Sequence, residues 1–190
     1  AAGLVANGVK VYITARKAAQ CDAAAAELSQ AEPGHGECIS IPADMSTADG
    51  IASLVSAFSK NETQLDILVN NAGAAWGAPL GEFPEMGFDK VMDINVKAPF
   101  MLTQAFIPHL KTGASHEDPA RVVMIGSIDG IRVPIGDNYS YSASKAAIHM
   151  MTRHMASHLV GDHILLNSIA PGPFPSKMMA YMLDDEDNRN

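Results

Sequence analysis

Tyr141 and Lys145 stand four residues apart at the start of a long helix-forming stretch. Residues at that spacing share one helix face, so the ammonium can lie beside the phenol. A unit charge about 4 Å away, in an effective dielectric near 20, is worth roughly 4 kcal/mol. At about 1.4 kcal/mol for each tenfold change in proton affinity, that draws a phenol pKa from about 10 toward neutrality before desolvation opposes it. Such a tyrosine gives a proton to a developing alkoxide or takes one from an alcohol. Ser127 supplies a second hydroxyl, directly after an apolar run and between Gly126 and Gly130, where it can hydrogen-bond a substrate oxygen. Each residue has a plainer reading as well. Tyr-x-x-x-Lys also describes a solvated helix start, and Tyr139 competes for the role, although position 143 is Ala and offers it no cation. A serine-hydrolase nucleophile fits less well, because Ile125-Gly126-Ser127-Ile128-Asp129 lacks the full Gly-x-Ser-x-Gly elbow.

The elements that would carry these groups follow from periodicity. Short β-branched runs predict strands at 9–15, 37–43, 65–70, 121–126 and 163–170. Ala-rich amphipathic stretches predict helices at 18–29, 48–60, 88–111 and 141–160, the third kinked at Pro99. Continuous apolar strands alternating with helices imply βαβ units and a parallel sheet covered on both faces. The expectation is one domain over residues 1–190, α/β in class, with 112–120 an inserted loop. In helix 141–160, Ala143, Ala146, Ala147, Met150 and Met151 have the spacing of one buried face. Helix 88–111 carries Val91, Met92, Ile94, Phe100, Leu102 and Phe106, apolar on more than one side. A homodimer or homotetramer through these two long helices would explain that, and so would burial in the core.

Ligands of an open parallel sheet bind outside the carboxyl ends of its strands. Here those exits read Arg16-Lys17, Asp44, Asn70-Asn71-Ala72-Gly73, Ser127 and Pro171-Gly172. Taken with Tyr141-x-x-x-Lys145, the series resembles the short-chain dehydrogenase/reductase family, and the likeness covers nearly the whole chain. The resemblance implies a Rossmann-type doubly wound sheet and a catalytic set of Ser127, Tyr141 and Lys145, with Tyr141 as acid/base. It implies that Lys145 also holds the nicotinamide ribose, and that Asn95, in Asp93-Ile94-Asn95-Val96, holds a water of a proton relay. Asp44 matches the acid that contacts adenine, and Asn71, Ala72 and Gly73 pack against the adenosine half. Within the family, residues 71–80 and 169–176 most resemble the rhamnolipid-pathway type of 3-oxoacyl reductase.

Cofactor preference has a physical argument of its own. An NAD enzyme places an acid at the end of the strand after the phosphate loop, to bind the ribose 2′-hydroxyl. The matching exit here, Thr14-Ala15-Arg16-Lys17, has no acid before Asp22. Arg16 presents a planar donor fork suited to a 2′-phosphate, which favours NADP(H); a solvated strand end is the plainer alternative. The family's Gly-x-x-x-Gly-x-Gly loop is not in the sequence. Residues 1–8 read as the tail of the helix that follows such a loop. The sheet is therefore expected to lack its first strand and the C-terminal part, and residues 1–190 alone are expected to be marginally folded and to bind cofactor poorly.

Composition excludes other classes. Of 190 residues, 47% are hydrophobic and 18% charged, which argues against disorder, and the formal net charge is −8. An acidic chain without basic runs is a poor fit to nucleic acid or to anionic membranes. No apolar run approaches the roughly 18 residues of a membrane span, and a cytoplasmic protein is expected. Cys21 and Cys38 make neither a disulfide framework nor a metal site. His154 and His158 are an i, i+4 pair without a third ligand, so no metal is expected. Met178, Met179 and Met182 suit an adaptable apolar lid, and Trp76 is either a loop anchor or a pocket wall. The activity expected is NADPH-dependent reduction of a ketone, a 3-oxoacyl thioester by the likeness. The alternatives are an alcohol or polyol dehydrogenase of the same family, or a non-catalytic interaction form.

Overall fold

A computed structural model describes residues 1–30 and 36–173 and divides them into two compact units. The expected lid methionines, and the part of the 169–176 segment beyond Pro173, lie outside the described residues.

The first unit spans Ala1–Thr63 with Gln104–Phe106. It holds α1 (Ala2–Val5), β1 (Val11–Ile13), α2 (Ala18–Ser29), β2 (Cys38–Ser40) and α3 (Ala48–Ser59). Val11 pairs with Cys38 and Ile13 with Ser40 in a parallel ladder. Its hydrogen bonds run on from Val11 N–H donating to Glu37 O as far as Ala43 N–H donating to Ala15 O. The chain is thus extended over nearly the predicted 9–15 and 37–43, although the paired cores are shorter. Val5, Ala25 and Cys38 form the centre of the packing, with Val11, Ile13 and Leu28 against them. Ser29, at the end of α2, donates to Cys38 O and accepts from Cys38 N–H, which fixes the helix end to β2. Phe58 of α3 meets Tyr12 and Phe106 edge to face at ring separations of 5.0 and 5.2 Å.

The second unit takes Gln64–Thr103 and the chain from Ile107. Its elements are β3 (Ile67–Asn70), α4 (Glu85–Met92), α5 (Ala98–Gly113), β4 (Ala120–Ile125), α6 (Tyr139–Leu159) and β5 (Ile164–Ile169). The strands are parallel in the order β3-β4-β5, so consecutive strands are neighbours across helical crossovers, as the alternating pattern required. Val122, Met124 and Ile164 are fully buried on one face, whereas Val69, Leu165 and Ile169 on the other are exposed, so among the described residues the sheet is covered on one face and not on both as expected.

Two further expectations need correction here. The helix predicted at 88–111 is α4 and α5 joined through a π turn at Asp93–Lys97. Pro99 lacks the amide that α geometry would deliver four residues back, to the Asn95 carbonyl. The chain widens into a π turn just before Pro99, with Ala98 N–H donating to Asp93 O. On α6 the predicted apolar face is the wrong one. Ser140, Ser144, Lys145, Ile148 and Thr152 are buried, whereas Ala143 and Ala146 are exposed and Met150 is 59% exposed. Hydrogen bonds that tie Ser144 to Asn95 and Lys145 to the Ile125 carbonyl outweigh the small apolar gain from burying alanines.

Candidate active site

Lys145 organises the second unit's site. Its side chain is only 5% exposed, and its Nζ donates to the Ile125 carbonyl at the end of β4, 2.7 Å away. Burial pushes its ammonium down to about 8. At neutral pH it therefore stays charged by about ten to one. The same Nζ lies 5.5 Å from the centre of the Tyr141 ring, so the one-turn spacing does bring cation and phenol ring together.

Asn95 enters from the π turn and is fully buried. Its Oδ1 accepts from Ala74 N–H at 2.8 Å, and its Nδ2 donates to Ala74 O and to Ser144 Oγ, both at 2.9 Å. Both amide donors are therefore committed to holding the segment after β3 against α6. Ser144 completes the link by donating to Tyr141 O at 2.7 Å. Gly73 lies in this junction: a Cβ there would sit 3.2 Å from Asn95 Oδ1 and 3.8 Å from Lys145 Nζ. Asn70, just before, donates to Thr103 Oγ1, which donates to Pro99 O, tying β3 to the start of α5. Asn71 is exposed and Ala72 half-buried.

Ser127 is buried in extended backbone, and its Oγ accepts from Asp129 N–H at 3.1 Å. The hydroxyl hydrogen is then the group it has left to give. The turn after it presses on α6 so closely that a side chain at Gly130 would collide with the Lys145 backbone. Pro171 accepts from Ile128 N–H at 3.0 Å, which brings the exit of β5 against the same turn; Gly172 beside it is exposed. Tyr139 Oη donates to Asp137 instead of joining Lys145. Trp76 is a loop anchor, stacked where a Cβ on Gly87 would come within 2.7 Å and with Lys90 5.3 Å from its ring centre.

Sequence reasoning missed Ser144, whose signal was a small hydroxyl residue next to Lys145, off the face expected to be buried. It also missed His149, one turn further along that face. Its ring nitrogens lie 3.0 Å from Ser127 O and from Ser168 Oγ.

Arg16 and Asp44 belong to the first unit. Arg16 is exposed at the end of β1. Asp44 accepts from Ser46 Oγ at 2.6 Å and from Ser46 N–H at 3.0 Å. Those bonds hold its carboxyl below the usual range, with a smaller push from the Arg16 charge. At the same strand exits Thr14 Oγ1 and Ser40 Oγ are buried with no hydrogen-bond partner among the described residues. An exposed guanidinium at a strand exit fits a phosphate. Among the described residues no cluster of His, Cys, Asp and Glu could hold a metal ion, and no helix is long and apolar enough to cross a membrane.

Comparison with known proteins places the chain in a family. A family model described as short chain dehydrogenase matches residues 1–187. The chain is 45% identical over 185 residues to the rhamnolipids biosynthesis 3-oxoacyl-[acyl-carrier-protein] reductase of Pseudomonas aeruginosa, covering 97% of this chain and 71% of that protein. It is 34% identical over 152 residues to the 2-dehydro-3-deoxy-D-gluconate 5-dehydrogenase of Escherichia coli, covering 78% of this chain and 57% of that one. Among solved structures, the Pseudomonas aeruginosa RhlG/NADP active-site complex superposes with a TM-score of 0.92 at 44% identity, covering 98% of this chain and 72% of that one.

Proposed function

The chain belongs to the short-chain dehydrogenase family of oxidoreductases, and on that premise we propose that it reduces a 3-oxoacyl thioester to the 3-hydroxyacyl product with NADPH. The observation that carries this is the buried Lys145 ammonium, one turn beyond Tyr141 and within hydrogen-bond reach of the β4 exit.

NADPH, when bound, supplies the hydride that reaches the carbonyl carbon. The rest is done by this chain. Tyr141 gives its phenolic proton to the carbonyl oxygen as negative charge grows there. Ser127, whose oxygen is already held by Asp129 N–H, donates its hydroxyl hydrogen to the same oxygen and orients it. Lys145 stabilises the phenolate left on Tyr141. Its pKa near 8 also suits it to passing a proton back at neutral pH. Asn95 keeps Gly73 and α6 in place around the lysine, and Asn71, Ala72, Gly73, Pro171 and Gly172 line the cofactor's path at their strand exits. Arg16, exposed at the end of β1, takes the 2′-phosphate end, and Asp44 the base.

The 45% identity to a reductase named for 3-oxoacyl substrates supports the acyl class. The 34% identity to a gluconate-type dehydrogenase supports a sugar ketone as the alternative. Following NADPH absorbance with a 3-oxoacyl thioester and with a sugar ketone separates them: the thioester is expected to turn over faster, and the reverse order overturns the substrate class. Residues 1–190 are read as part of one dinucleotide-binding domain, working in the cytoplasm. Exposed Phe100 and Met101 on α5 and Met150 on α6 suit a homodimer or homotetramer through the two long helices.

A further inference from the structure

Tyr141, Lys145 and His149 follow one another at four-residue steps along α6, so they form a row on one face. The proposed reaction uses the first two; the third has no part in it. His149 nevertheless makes two bonds to the sheet. Nε2 lies 3.0 Å from Ser127 O, and Nδ1 lies 3.0 Å from Ser168 Oγ on β5. A carbonyl oxygen only accepts, so Nε2 carries the hydrogen. In the neutral ring Nδ1 then accepts from the Ser168 hydroxyl.

The ring is seated against the strand exit itself. A side chain at Gly126 would fall inside the imidazole, so the glycine before Ser127 makes the room that the histidine fills. Ser127 O also accepts from Gly130 N–H at 3.1 Å, so the peptide following Ser127 is held on two sides. Two turns of α6 thus grip adjacent parts of one strand end: Lys145 takes the Ile125 carbonyl and His149 takes the Ser127 carbonyl. Without the bond to His149 the strand end at Ser127 is free to shift against α6, and its hydroxyl shifts with it.

We propose that His149 is a positioning residue that locks the Ser127 backbone to α6 and β5, so that the serine hydroxyl meets the substrate oxygen in register with Tyr141. The inference rests on the reductase function proposed above. Small displacements of an aligned group lower turnover steeply, up to about a hundredfold for 1 Å.

The test compares wild type, His149→Leu and His149→Gln. The leucine variant removes both bonds. The glutamine amide can still donate to Ser127 O. Expected for His149→Leu, assayed with NADPH and a 3-oxoacyl thioester, is a roughly tenfold to hundredfold fall in kcat with KM for NADPH little changed. His149→Gln is expected to recover most of kcat. Unchanged kcat in a folded His149→Leu, or a glutamine variant as poor as leucine, overturns the proposal. A second readout needs no turnover: amide hydrogen exchange at Gly126 to Ile128 should quicken about tenfold or more in His149→Leu and return toward wild type in His149→Gln. Wild type that reduces no ketone would sink the reductase reading alone, while unchanged exchange at these amides would sink the positioning role alone.

Discussion

Both groups of candidate residues sit where parallel strands end, yet they are held in opposite ways. Around Lys145 most polar atoms are committed, although Ser140 Oγ, buried on the same helix, has no hydrogen-bond partner among the described residues. Asn95 spends its amide on Ala74 and Ser144, Ser127 accepts from its own turn, and the lysine is bonded and buried. At the ends of β1 and β2, Arg16 is exposed, Asp44 is satisfied by a neighbouring serine, and two buried hydroxyls are unspent. Moving a proton and a hydride needs atoms fixed to fractions of an ångström. Recognising a phosphate needs charge within reach, and a long solvated side chain supplies that with slack.

Four substitutions would break or sharpen this contrast. Tyr141→Phe should leave the melting temperature nearly unchanged while kcat falls by about a hundredfold to ten-thousandfold, read from NADPH oxidation; a variant retaining a tenth of wild-type turnover would break it.

Lys145→Met reads the cost of the fixed region. The folded-state pKa near 8 lies below the ordinary lysine value of 10.5, so the folded chain binds fewer protons than the unfolded chain between those values. Stability therefore rises with pH across that window, by up to about 3 kcal/mol from this group. Urea melts should show that rise in wild type relative to Lys145→Met; parallel pH profiles would mean the charge is not desolvated in the fold.

Asn95→Ala strips partners from Ala74 and Ser144 and should lower unfolding free energy by about 1–3 kcal/mol in the same melts. The smallest effect belongs to the loose region. Arg16→Ala should raise KM for NADPH about tenfold, roughly 1.4 kcal/mol, while KM for NADH barely moves. Equal losses for both cofactors would remove Arg16 from the 2′-phosphate.

Much of this was legible in the chain. The alternation of apolar runs with Ala-rich stretches predicted each strand exit, because parallel strands joined by helical crossovers leave few other arrangements for such runs. Tyr141 and Lys145 were legible because helix geometry alone sets which residues share a face. Less was legible where a polar residue was turned inward. On α6 the alanines and methionines carry the periodicity of a buried stripe, yet Ser144 and Lys145 face the core. Hydropathy weighs each side chain singly, whereas these are buried in return for partners on other elements: Asn95 for Ser144, the Ile125 carbonyl for Lys145. The π turn was similarly hidden. Pro99 marked a disturbance, but the widened turn lies upstream of the proline.

The inward side of α6 also constrains how the helix can move. A helix resting on leucines can slide by a fraction of a turn and find new neighbours of equal worth. This one meets its surroundings through directional bonds at Ser144, Lys145 and His149. A shift of even one residue would strand several donors at once. Sequence change and adaptation to new substrates should therefore collect on its outward alanines and methionines and in the loops around it, while its axial setting stays as fixed as a key cut for a single lock.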